Sequence, residues 1–156
     1  MGLVDERLAT LGRALPALAK PVAAYLPAVV SGDLVFTAGQ LPFIDGALPQ
    51  TGKVGEAAGL IPASAARSHA ATAVLNALAA AESAIGSLDR ITQVVKLTGF
   101  VASDPAFTGQ PGVINGASEL LVEIFGEAGK HARSAVGVAV LPLDSPVEIE
   151  LILRFA

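Results

Sequence analysis

Residues 132–156 read ARSAVGVAVLPLDSPVEIELILRFA, and this stretch decides the architecture. It contains two strand-like runs, SAVGVAVLP and VEIELILRFA, joined by LDSP. The β-branched content of both runs and the Asp-Ser-Pro connection predict a C-terminal β-hairpin or a closely related pairing. Side chains alternate across a strand, so Val147, Ile149, Leu151, Leu153 and Phe155 fall on one face, and Glu148, Glu150 and Arg154 on the other. One face is core. The other is open to chemistry or water.

Working backwards, residues 113–125 carry apolar side chains at Ile114, Ala117, Leu120, Leu121, Ile124 and Phe125, the spacing of a helix that Gly126 and Gly129 end. Before it, ITQVVKLTGFVA (91–102) is rich in Val, Ile, Thr and Phe and is stopped by Asp104 and Pro105, as a strand is. Residues 62–85 form an Ala-rich run free of interior Gly and Pro. Ser64 is its candidate cap, Gly86 its stop, and Ala66, Ala70, Ala73, Leu75, Ala77, Leu78 and Ala81 its apolar face. VVSGDLVFTAGQ (29–40) has the composition of a tight hairpin around Ser31, Gly32 and Asp33.

Val4, Leu8 and Leu11 mark a short terminal helix, and Pro16, Pro21 and Pro27 then argue against a long one. Residues 41–62, rich in Gly and Pro, read as an extended surface loop. The order ββ, α, β, α, ββ predicts an α+β sandwich, a mostly antiparallel or mixed sheet with two helices packed on one face. The opposite face is then the natural surface for self-association.

Composition limits what such a fold can do. The 156 residues suit a single domain, 1–156, and 53% of them are hydrophobic while only 15% are charged. So little polar surface predicts burial between subunits, that is, a homo-oligomer. No apolar run is long enough to span a bilayer, and the N-terminus, MGLVDERLATLGRALPALAK, lacks a signal-peptide pattern, so a cytoplasmic location is expected with no membrane partner. A net charge of −4 with scattered basic residues gives no nucleic-acid surface. Zero cysteines exclude thiol chemistry and disulfides.

The sequence holds none of the metal-ligand spacings HExxH, HxH or DxDxDG, and no phosphate loop, so neither a metal nor a cofactor is expected. Only two histidines are available. His69 reads as a partly exposed helix residue, and His131, in GKHARS, sits in a turn before a strand and is the better placed of the two. The remaining candidates are Arg133 at the mouth of its strand and Glu148 on the strand expected to return beside it. A guanidinium matches a carboxylate through two parallel hydrogen bonds, and a glutamate can hold or activate a water. An Arg133–Glu148 salt bridge across neighbouring strands is the plainer alternative.

Those residues resemble a known family. ARSAVGVAVLPLDSPVEIE (132–150) resembles the C-terminal signature of the YjgF/RidA family (reactive intermediate deaminase, also known as endoribonuclease L-PSP). SGDLVFTAGQLP (31–42) resembles its N-terminal hairpin, and VVKLTGFVASDPAF (94–107) its central strand. The resemblance implies a chorismate-mutase-like α+β fold, a homotrimer with sites in the clefts between subunits, and hydrolysis of reactive 2-imino acids to 2-keto acids and ammonia. Carried onto this chain, it makes Arg133 the clamp for a small carboxylate-bearing metabolite and Glu148 the residue that positions water. Tyr25 would close the pocket, Gly39 would line it with backbone, and Asn115 and Ala135 would lie beside it.

For Tyr25 and Asn115 the simpler alternatives are a buried packing residue and a helix-surface amide. Two competing activities stay open beside the deaminase: a non-catalytic binder of 2-keto acids or related carboxylates at the subunit interface, and an endoribonuclease, which the acidic balance opposes. The chain departs from the family pattern in three ways. Ala135 stands where deaminase members often have cysteine. The loop from Ile44 to Ile61 is longer than usual, and FTGQPGVINGAS (107–118) adds residues before the second helix. Both insertions are expected at the pocket rim, as in a longer subgroup of the family.

Overall fold

Small residues set how closely the layers of this molecule approach. The computed structural model describes residues 2–18 and 24–156, so Pro21 lies outside the described residues. Five strands form one mixed sheet: β1 (Ala28–Ser31), β2 (Leu34–Thr37), β3 (Ile91–Ala102), β4 (Ala132–Val138) and β5 (Val147–Phe155). Their spatial order is β1-β2-β5-β3-β4. The predicted hairpin is β1–β2, with Ser31 opposite Leu34 and Gly32 turning the chain at φ 61°. The helices are α1 (Leu3–Thr10), α2 (Ala63–Ile85) and α3 (Gln110–Phe125).

The C-terminal runs do not form a hairpin with each other. β3 lies between them, parallel to β4 and antiparallel to β5. The physical reason lies in the connections. α3 provides the crossover that a parallel β3–β4 pair requires. Residues 139–146 then supply enough chain to pass the roughly 10 Å that one intervening strand occupies. They do so through a one-turn 3-10 helix at Pro142–Asp144, where Leu143 and Asp144 adopt left-handed φ of 58° and 56°. The alternation read along β5 holds: Val147, Ile149, Leu151 and Leu153 are buried, and Glu148 and Glu150 are half-buried on the other face.

Helix ends follow local chemistry with two corrections. Gly86 closes α2 at φ 85°, as its freedom in the left-handed region allows. Ser64 does not cap α2. The cap position is Pro62, in extended backbone, and Ser64 lies inside the first turn. α3 begins before residue 113, because Pro111 is preorganised for a first helical turn.

α2 buries Ala66, Ala70, Ala73, Ala77, Ala80 and Ala81 completely. These short side chains let α3 come close: a Cβ on Gly116 would lie 2.1 Å from the Arg67 carbonyl oxygen. On its other side α3 sets Ile114 over Gly99 of β3, where an added Cβ would meet the Ile114 side chain at 2.5 Å. Two glycines therefore seat α3 against α2 on one side and against β3 on the other.

The long loop is better anchored than an extended surface loop. Val54 and Ile61 are buried, the Val54 amide donates to the Ala102 carbonyl at 2.7 Å, and Lys53 pairs with Asp144 at 2.9 Å. On the sheet face away from the helices, Val29, Phe36 and Val136 are exposed, and Phe100 and Ile152 are partly so.

Candidate functional site

Register determines which candidates can meet. Arg133 pairs with Leu97, which pairs with Leu151; both leucines are buried beneath the helices, so Arg133 points to the helix side. Glu148 alternates with buried Val147 and Ile149 and points the other way. β3 separates the two strands. The expectation that Glu148 returns beside Arg133, and the cross-strand salt bridge with it, is therefore corrected: within one chain the two side chains lie on opposite faces of the sheet.

On the helix side Arg133 has two partners from α3. Its Nη1 donates to Asn115 Oδ1 at 2.7 Å and to Ser118 Oγ at 3.3 Å. Ser118 lies 2.9 Å from His131 Nε2, and His131 Nδ1 lies 2.6 Å from the Gly129 carbonyl oxygen. An open cleft of about 580 Å3 is lined by Ser118, His131 and Arg133 with Glu119, Val122, Glu123 and Lys130. Glu119 pairs with Arg67, and Lys130 pairs with Glu127 at 2.8 Å. Among the described residues Arg133 has no acidic partner. The cleft thus presents a half-buried guanidinium with no anion of its own.

On the opposite face Glu148 lies against Gly39. A Cβ at Gly39 would fall 1.9 Å from Glu148 Oε1, so any larger residue would displace the carboxylate. The neighbouring backbone is fixed by reciprocal hydrogen bonds between Gln40 and Ile149, at 2.8 and 3.0 Å. Burial, and next the nearby Glu150, push the Glu148 carboxyl above its ordinary range. Among the described residues it has no hydrogen-bond donor.

The other candidates divide. Asn115 is no idle helix-surface amide, since it accepts from Arg133. Tyr25 is not a buried packing residue; it is 54% exposed. Ala135 shares the Arg133 face and packs on the core beside Gly99. Within one chain no residue of the loop from Ile44 to Ile61 lines the Arg133 cleft; Ile44, Asp45 and Gly46 line a second cavity with Asn76. Of residues 107–118, Ser118 lines the Arg133 cleft and Asn115 bonds Arg133 itself. His69 is partly exposed, its Nε2 3.0 Å from Gln50 Oε1, and burial lowers its pKa. No helix is long and apolar enough to cross a membrane, and no cluster of metal-ligating side chains occurs, among the described residues.

Sequence reading missed Ser118 and gave His131 only its position. Both were marked by spacing. Asn115 and Ser118 are three apart and share a helix face, and His131 and Arg133 are two apart and share a strand face.

The mixed sheet, its single layer of helices and an arginine at a strand mouth define a chorismate-mutase-like α+β protein. The family model described as "YjgF/chorismate_mutase-like, putative endoribonuclease" matches residues 5–155, and the chain belongs to this family. Protein TCP17 of Trypanosoma cruzi is 42% identical over 154 residues, covering 98% of this chain and 94% of that one. The crystal structure of Atu1372 from Agrobacterium tumefaciens, a protein of unknown function, has a TM-score of 0.90 at 40% identity and covers 99% of this chain and 93% of that one. Escherichia coli TdcF, solved with bound serine, has a TM-score of 0.63 at 25% identity and covers 89% and 94% respectively.

Proposed function

We propose that this protein is an enamine/imine deaminase that hydrolyses small 2-imino acids to 2-keto acids and ammonia, at clefts between the subunits of a cytoplasmic homotrimer. The observation that carries the reading is Arg133, a half-buried guanidinium that faces an open cleft without an anionic partner among the described residues. A substrate carboxylate would supply that anion. The serine bound to TdcF supports a ligand of amino-acid size.

Glu148 is the base in this reading. Its carboxyl is pushed upward by burial and by Glu150, which makes it a stronger base than an ordinary glutamate. Water adds to the imine carbon as Glu148 takes its proton and the nitrogen gains one. The resulting carbinolamine forms its C=O bond as ammonia leaves. Because Glu148 faces away from Arg133, it would come from a neighbouring subunit, with Gly39 beside it and Tyr25 at the opening. The exposed Val29, Phe36 and Val136 on the Glu148 face suit such self-association.

The test is keto-acid release from freshly generated 2-aminoacrylate. Wild-type protein should exceed the spontaneous rate and Arg133→Ala should not; equal rates for the two would overturn the deaminase reading. A second reading, a carboxylate binder without turnover, is favoured by one fact: the Arg133 wall is complete within one chain, while Glu148 is elsewhere. Glu148→Gln separates them. Lost turnover with retained pyruvate affinity supports the enzyme. RNA cleavage fits less well, since a net charge of −4 opposes phosphate binding.

A further inference from the structure

For a neutral His131, the hydrogens of the Ser118–His131 arrangement have one consistent direction. The Gly129 carbonyl can only accept, so His131 Nδ1 carries the proton of the 2.6 Å contact. A neutral imidazole is then left with Nε2 as an acceptor, and the Ser118 hydroxyl donates to it across 2.9 Å. With its proton so placed, Ser118 Oγ offers lone pairs to Arg133 Nη1 at 3.3 Å, while Asn115 Oδ1 takes the other Nη1 hydrogen at 2.7 Å.

Both Nη1 hydrogens are thereby engaged, and two acceptors on one helix fix the guanidinium plane. The Nη2 and Nε hydrogens have no partner among the described residues. They form the side of the fork that receives a carboxylate through parallel bonds.

We infer that Ser118 and His131 are positioning residues for Arg133: the Gly129–His131–Ser118 relay turns the guanidinium so that its Nε–Nη2 edge faces the cleft. The inference deepens the carboxylate-clamp reading and rests on it. It also restricts the ligand. Ser118 has no hydrogen left to donate, so recognition of the anion falls to Arg133 alone, and an uncharged analogue gains nothing from the relay.

Calorimetric titration with pyruvate, and with its amide as the uncharged control, tests this in the full-length protein. Ser118→Ala and His131→Leu should each weaken pyruvate about tenfold, the worth of one charge-assisted hydrogen bond, and leave the amide unchanged. Ser118→Thr, which keeps the hydroxyl, should restore affinity, and His131→Gln, whose Oε1 can accept from Ser118, should do so in large part. A merely structural role would not be rescued in that pattern, nor would it spare the amide. If His131→Leu fails to fold, the Ala and Thr variants of Ser118 carry the comparison.

Pyruvate binding that is lost in Arg133→Ala but unchanged in Ser118→Ala overturns the positioning role alone. Absence of pyruvate binding in the wild type, or equal binding by Arg133→Ala, overturns the carboxylate reading and this inference with it.

Discussion

The two faces of the sheet carry the two halves of the proposed chemistry in unequal states of completion. On the helix face Arg133 is held by Asn115 and Ser118 and looks into a formed cleft. On the other face Glu148 leans on Gly39 with no donor among the described residues, its pKa raised by burial and by Glu150. The helix layer gives the first half its walls. The second half has only sheet behind it, beside exposed Phe36 and Val29, and needs another surface to become a pocket. In the proposed reading, the carboxylate clamp is preorganised within one chain and its base is left for assembly to supply.

The most direct way to break this comparison is to separate the halves genetically. Arg133→Ala and Glu148→Gln should each be inactive. Co-expressed, they should recover activity, because random assortment in a ring of heterologous interfaces pairs an intact Arg133 with an intact Glu148 at about one site in four. Keto-acid release from the purified mixture is the measurement. A mixture as dead as its parents would overturn the pairing of Arg133 with Glu148 across subunits.

Gly39→Ala attacks the Glu148 half alone. The added Cβ would occupy the place of Glu148 Oε1, 1.9 Å away, and push the carboxylate aside. Turnover should fall by about a hundredfold, as for a reacting group misplaced by an ångström, with pyruvate affinity kept. A parallel loss of affinity would show that the two halves are not independent. Gly116→Ala attacks the Arg133 half by forcing α3 from the Arg67 carbonyl, 2.1 Å from the new Cβ. Overpacking of this kind costs about 1 to 3 kcal/mol of stability, read by denaturant unfolding, and pyruvate affinity should fall with it.

How legible each half was follows from the range of the signals involved. Alternation along β5 placed Glu148 opposite Val147 and Ile149 correctly, because parity is a property of the strand itself. The Ala-rich α2 and the Gly32 turn were equally local. The C-terminal hairpin failed because strand order is not local: nothing between residues 139 and 146 states that β3 will enter between the two runs. That error set Glu148 beside Arg133 and made a salt bridge seem natural. The Ser118–His131 contact was missed for a similar reason, since it joins a helix to a strand mouth and depends on how α3 seats against α2 and β3.

The smallest predicted effect bears on whether Glu148 really lacks a partner. A carboxyl whose pKa is raised on folding favours the folded state below its ordinary value of 4.5, and that advantage is lost as pH rises through the raised value. Glu148→Gln cannot ionise and avoids the loss. The variant should therefore melt slightly above wild type at pH 7, with the difference shrinking in acid and gone below about 4.5. Thermal unfolding of both proteins across that range gives the comparison. If the variant instead melts lower at neutral pH, the ionised carboxylate has a cation on it. Since no residue described in this chain provides one, the cation would belong to a second copy, and Glu148 would be a bridge between subunits rather than a base waiting for water.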